Sequence, residues 1–250
     1  MGQMKRFITF LYESDTSHAF SLEEKLVKHL KRHGAMDKGV KAAGSSGGHD
    51  FHILHPKSKE KLGGAFKETI HGETKKSISG AKLGSVALRY HPEKGWHINE
   101  KTKKEKPSLS SEVEKSTVDG VPLMKHLNKH WGKPRAGKIL PGFGTDHTDM
   151  KPAHAYMKDH DVHVIHIHDR GTYRAGKSHR SDTHSTGLPV LKGTGHFQVA
   201  TERSGGGQNE QGTGMQVNFR AHPKSVEHST HNISTKKGLE EVLNNMRKKK

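Results

Sequence analysis

The sequence predicts an α/β (α+β) fold built on a mixed β-sheet flanked by helices. Three features point there. Short apolar runs with strand-like alternation recur along the chain, and stretches with helical periodicity and capping residues separate them. Only 29% of the 250 residues are apolar and mean hydropathy is -0.89, so the core is modest and polar loops are extensive.

Taken in order, Ser21-Leu22-Glu23-Glu24 has the form of a capping box, with Ser21 at the N-cap and Glu24 at N3. Leu22, Leu26, Val27 and Leu30 continue it as a helical stripe, and Gly34 suits the position just past the end. Glu23, four before Val27 and seven before Leu30, borders the buried face, while Glu24 points more toward solvent. A Gly/Ser/Lys loop over 39–48 leads to a strand at Phe51-His52-Ile53-Leu54, opened by Asp50. Lys57 to Gly64 reads as a turn and Ala65 to Lys75 as the returning strand. Val86 to Tyr90 and Trp96 to Asn99 read as strands joined by a turn at His91 to Gly95. Residues 100–112, Lys-rich and containing Pro107, read as an exposed loop. Helices are expected over Val121–Trp131 and Met150–Lys158, the latter with Pro152 in its first turn. Asp161 to His168 forms a strand that turns at Asp169-Arg170-Gly171 into Thr172-Tyr173-Arg174. Strands follow at His196–Thr201 and Met215–Ala221, with a Gly/Gln/Asn-rich loop between them. A last helix covers Leu239–Met246 and ends in Arg247-Lys248-Lys249-Lys250. These elements suggest one domain over residues 14–250.

Composition narrows the function. Lys plus Arg number 43 against 26 acids, a net charge of +17, which favours a polyanionic partner and above all nucleic acid. There are no cysteines, which excludes disulfides and Cys-based zinc sites. No apolar stretch approaches 18 residues, so no helical membrane span is expected. The 23 histidines are scattered and would add positive charge in mild acid.

Asp50 and Glu73-Thr74-Lys75 carry the strongest suggestion of chemistry. Residues two apart in a strand share a face, so Glu73 and Lys75 project together, and a hairpin can bring Asp50 beside them. Two carboxylates and an ammonium at one point can hold Mg²⁺, polarise a phosphate and orient a water. In order and context these residues resemble the PD-(D/E)xK (restriction endonuclease-like) nuclease superfamily, over residues 20–90. The resemblance implies metal-dependent endonuclease activity on DNA. Asp50 and Glu73 would be ligands to Mg²⁺ (or Mn²⁺), Lys75 would contact water and phosphate, and Glu23 would be an accessory ligand. It departs from the family pattern at Gly48-His49, where the motif has Pro. A looser likeness to type II restriction endonucleases of the HhaI type rests on Gly84-Ser85-Val86-Ala87-Leu88 and on His196–Thr201 with Glu202-Arg203-Ser204-Gly205 after it. Such enzymes often act as homodimers.

Other groups compete for attention. Arg170, Arg174, Lys177, His179 and Arg180 crowd one hairpin and its loop, and with Arg203 they are candidates for contact with phosphates or guanine edges. Lys101 to Lys106 and the Arg247–Lys250 end would add salt-sensitive attraction. His166 and His168 share a strand face and could bind zinc; Asp146, His147 and Asp149 make another polar cluster. Residues 4–13, ending Leu11-Tyr12-Glu13, resemble the leaders of tailed-phage proteins directed into the prohead, with cleavage before Ser14. That likeness implies a phage-encoded chain in the host cytoplasm or packaged in the virion head. The alternative to a nuclease is a non-catalytic basic DNA-binding or internal head protein.

Overall fold

The computed structural model describes residues 21–39, 49–68, 81–131, 143–176, 185–201, 215–222 and 224–248. In chain order the elements are α1 (residues 21–32), β1 (Phe51–Leu54), β2 (Lys61–Lys67), β3 (Lys82–His91), β4 (Gly95–Ile98), α2 (Glu100–Glu105) and α3 (Pro107–Lys115). Then come β5 (Thr117–Val118), β6 (Val121–Pro122), α4 (Leu123–His130), β7 (Phe143–Gly144), β8 (Thr148–Asp149) and α5 (Lys151–Asp159). The last are β9 (Val164–Ile167), β10 (Gly171–Arg174), β11 (Thr194–Thr201), β12 (Met215–Ala221) and α6 (Lys236–Lys248). The mixture is α+β, as the alternating patterns predict. Where the sequence suggests one domain, the chain forms two compact units. The first is Met1–Glu68, Val162–Val190 and His228–Lys250; the second is Thr69–Asp161 and Leu191–Glu227.

The first unit holds a mixed sheet in the order β1-β2-β9-β10. β1 and β2 form the antiparallel hairpin the sequence implies, β9 joins β2 in parallel, and β10 returns antiparallel to β9. On the described part of α1, the expected stripe is the buried one: Leu26, Val27 and Leu30 pack against Phe51, Ile53, Leu62 and Phe66 of the sheet. The helix ends at Gly34 (φ 66°), whose N–H donates to Lys31 O while the Ala35 N–H donates to Leu30 O. This is a Schellman closure, and it needs a residue tolerant of positive φ. Ser21, expected as the N-cap, is already helical. α6 contributes Leu239, Val242, Leu243 and Met246 to the same core, each burial stabilising by about 1.5–3 kcal/mol.

The hairpin differs from expectation in its limits. β2 begins at Lys61, inside the stretch read as a turn, and its described strand residues end at Lys67. Gly63 and Gly64 misled because glycine usually punctuates. Gly64 instead lies under the Phe51 ring, which a Cβ at that position would overlap. Glu73-Thr74-Lys75 lies outside the described residues.

The second unit holds an antiparallel sheet, β4-β3-β12-β11-β7, with β8 also pairing to β11. Val86, Leu88, Phe197, Val199, Val217 and Phe219 make its apolar face. α3 and α5 cover that face at Gly84, where a Cβ would sit 3.0 Å from Leu109 Cδ2 and 3.1 Å from Tyr156 Cβ. Residues 100–112, expected as a loop, are helical instead. The Asn99 side chain accepts from the Lys101 N–H at 2.9 Å to cap α2, and Pro107 starts α3. The Asp159 carboxylate accepts the Ser108 and Leu109 N–H groups at 3.1 and 2.8 Å, capping α3 from about fifty residues away. Leu109 and Val113 are then fully buried, which a Lys-rich composition conceals.

Candidate nucleic-acid interface

Of the site residues suggested by sequence, Glu23, Asp50, Arg170 and Arg174 are described, and all four belong to the first unit. Asp50 stands just before β1, beside the Ala65–Lys67 level of β2. Its Oδ2 accepts the Phe66 N–H at 2.8 Å and lies 3.5 Å from Lys67 Nζ. The ammonium that the hairpin brings to Asp50 is therefore Lys67. From Lys67, an extended chain could carry Glu73 up to about 20 Å onward, so the hairpin alone does not set its place. Glu23 faces inward from α1 and is 8% exposed, as its spacing predicts. Among the described residues no group of three or more His, Asp or Glu is placed to hold a metal ion. They do not make up a Mg²⁺ site, and Glu73 and Lys75 lie outside them.

The basic hairpin is largely committed to structure. Arg174 Nε donates to Leu188 O at 3.0 Å and its Nη1 to Ala175 O at 3.2 Å, so this guanidinium braces the adjoining segment. Arg170 Nη1 contacts His228 Nε2, and Arg170 is half-buried. Lys177, Arg180 and Arg203 lie outside the described residues. On β9, His166 and the following His168 both stack near Phe66, with ring centroids 5.7 and 6.3 Å away. His166 is fully buried and shares a 3.0 Å hydrogen bond with Thr172 Oγ1. Burial first, and His168 second, hold its pKa down to about 3, so it is a neutral core side chain.

The second unit carries a surface that sequence reasoning did not assemble. Strands β3, β4, β11 and β12 contain no Asp or Glu. In antiparallel pairs, residues directly opposite project to the same face. The register sets His196 beside Arg220 and Gln198 beside Asn218. It sets Gln216 beside Ala87, Asn218 beside Ser85, and Arg89 beside His97. These positions lie opposite the apolar face, and their side chains are cationic, amide, hydroxyl or small. Lys82 extends the set, its Nζ donating to Gln216 Oε1 at 3.3 Å. Arg220 Nε donates to Gln198 Oε1 at 2.7 Å, which fixes the guanidinium along the sheet. β8 adds one more group: Thr148 stands opposite Gly195, so His147 is level with His196, and their ring centroids are 5.7 Å apart. The signal for this face was present in the alternation of Met215–Ala221, where Gln216, Asn218 and Arg220 occupy every second place. Sequence could not show which strands lie beside it.

Comparison with family models, with curated proteins and with solved structures found no match to this chain. Among the described residues no helix is long and apolar enough to cross a membrane.

Proposed function

We propose that this protein binds nucleic acid through charge, using the polar face of β4-β3-β12-β11. The observation that supports this is a four-strand face bearing Lys82, Arg89, His97, Arg220 and His196 and no carboxylate on any of its strands. The net charge of +17 gives the long-range attraction such a face would use. Lys and Arg meet phosphates, while Gln198 and Gln216, both half-exposed, offer amide groups suited to sugar or base edges. DNA is the partner most consistent with the leader-like residues 4–13.

The test is the salt dependence of affinity for a labelled DNA duplex, followed by fluorescence anisotropy. Each phosphate contact adds about 0.9 to the slope of log K against log salt. Replacing both Lys82 and Arg89 by Gln is expected to lower that slope by about 2. An unchanged slope would remove this face from the interface, and salt-insensitive or absent binding would remove the function.

A second reading is favoured by one observation: Asp50 opens a strand of an antiparallel hairpin in a mixed sheet, with Glu23 turned inward on α1. On that reading the protein is a Mg²⁺-dependent DNA endonuclease in which Glu73 and Lys75 join Asp50. Plasmid nicking with Mg²⁺ and with EDTA tests it. Glu73→Ala is expected to abolish cutting while DNA binding persists; equal cutting by variant and parent excludes it. Asp50 is the poorer target, because its carboxylate also supports the Phe66 N–H and Lys67.

A further inference from the structure

We propose that His147, His196, His222 and Arg220 form a phosphate-binding site on the second unit's sheet, gripping its ligand more tightly as pH falls. The identity of the ligand as a nucleic-acid phosphate rests on the function proposed above; the site itself can be tested without it.

The geometry begins with register. His147, His196 and Arg220 fall in one cross-strand row over β8, β11 and β12. His222 follows β12 directly, and its N–H donates to Thr194 O at 2.8 Å. The His147 ring lies 5.7 Å from that of His196 and 5.9 Å from that of His222, so three imidazoles gather within reach of one small ion. His196 is 8% exposed, and among the described residues its buried Nδ1 has no hydrogen-bond partner. A buried polar nitrogen left without a partner is costly unless something supplies one.

Charge decides what that partner is. Burial lowers the pKa of His196 first, and then His147, Arg220 and His222 lower it further; among the described residues no carboxylate acts on it. The acids of the neighbouring loop face other work. Asp146 accepts from Thr117 Oγ1, Asp119 N–H and Gly120 N–H at 2.6, 3.0 and 3.1 Å, feeling His147 only as a minor influence. Asp149 accepts the Lys151 N–H at 2.9 Å and pairs with Lys151 Nζ at 3.0 Å. A guanidinium level with the imidazoles repels a divalent cation, and the described residues include no metal-holding group. An oxyanion instead supplies acceptors for imidazolium and guanidinium donors together. His147 is exposed and His222 half-exposed, so both rings stand at the rim of the site, where a bound oxyanion favours the imidazolium form.

The experiment follows imidazole titrations by NMR with and without inorganic phosphate, together with duplex affinity at about pH 5.5 and 7.5, on either side of the ordinary histidine pKa. Phosphate is expected to raise the titration midpoints of His147 and His222 in the parent chain. Duplex affinity is expected to rise about tenfold on acidification, as an average uptake of about half a proton over those two pH units gives. The variant with His147→Gln and His222→Gln, which leaves His196 and Arg220 in place, should lose most of that gain. Midpoints unmoved by phosphate would overturn the site, as would a double variant that keeps the full acid gain. Phosphate-shifted midpoints in a protein that binds no duplex would uphold the site and refute the nucleic-acid function alone.

Discussion

His166 offers a direct measure of how firmly the first unit's core excludes charge. In the folded chain its imidazole is buried, hydrogen-bonded to Thr172 Oγ1, and held to a pKa of about 3. Unfolding returns it to about 6.5. The folded state therefore binds fewer protons than the unfolded state. Its stabilising effect is complete above the unfolded value and is lost as pH falls through 6.5 toward 3. At pH 5, about 1.5 units below the unfolded value, the loss is about 2 kcal/mol at 1.36 kcal/mol per unit. Against a total stability of about 5–15 kcal/mol, that is readily measured. His29, His52, His154 and His196 are also lowered by burial and add to the slope in the same direction. The His166→Gln variant isolates the one group. Urea unfolding of parent and variant near pH 7 and pH 5 should give a difference of differences of about 2 kcal/mol. A difference under about 0.5 kcal/mol would show that water or a charged partner reaches His166, and the claim of a dry core there would fail.

Two further outcomes are specific. Asp159→Ala removes the carboxylate that holds the Ser108 and Leu109 N–H groups and should destabilise the second unit by about 1–2 kcal/mol in denaturant titrations, with Asp159→Asn milder. An unchanged midpoint would mean α3 does not depend on that distant cap. If residues 4–13 act as a prohead leader, mass spectrometry of purified virions should find a chain beginning at Ser14; a chain with those residues intact refutes the leader.

Local patterns were the legible part of the fold. The β3–β4 turn at Gly95 and the Asp169-Arg170-Gly171 turn are set by neighbours in sequence, and both occur where expected. The Leu26-Val27-Leu30 stripe was legible for the same reason. What escaped depends on partners remote in sequence. Residues 100–112 read as a loop because lysines dominate them and because the cap of α3, Asp159, comes from the end of another helix. Gly63 and Gly64 read as a turn, because the Phe51 ring that lies across Gly64 cannot be inferred from the glycines. For the candidate site, His196, Arg220 and His147 were visible only as common residue types. It takes the pairing of β8, β11 and β12 to bring them into one row. Conversely, Arg174, a candidate for phosphate contact from sequence, is bonded to the backbone of its own neighbourhood.

The interleaving of the two units constrains how the chain can be made. The central parallel pair of the first unit joins Gly64 to Val164, and the second unit's β3 waits for β12 in the same way. A nascent chain that has emerged only as far as Asp161 holds part of each sheet and can complete neither. At ordinary synthesis rates the gap between β2 and β9 takes about 5–20 s to translate, during which the edge of β2 stays open. Slow, late closure should make this chain dependent on protection during its birth, and should make fragments cut at either boundary fail to fold alone.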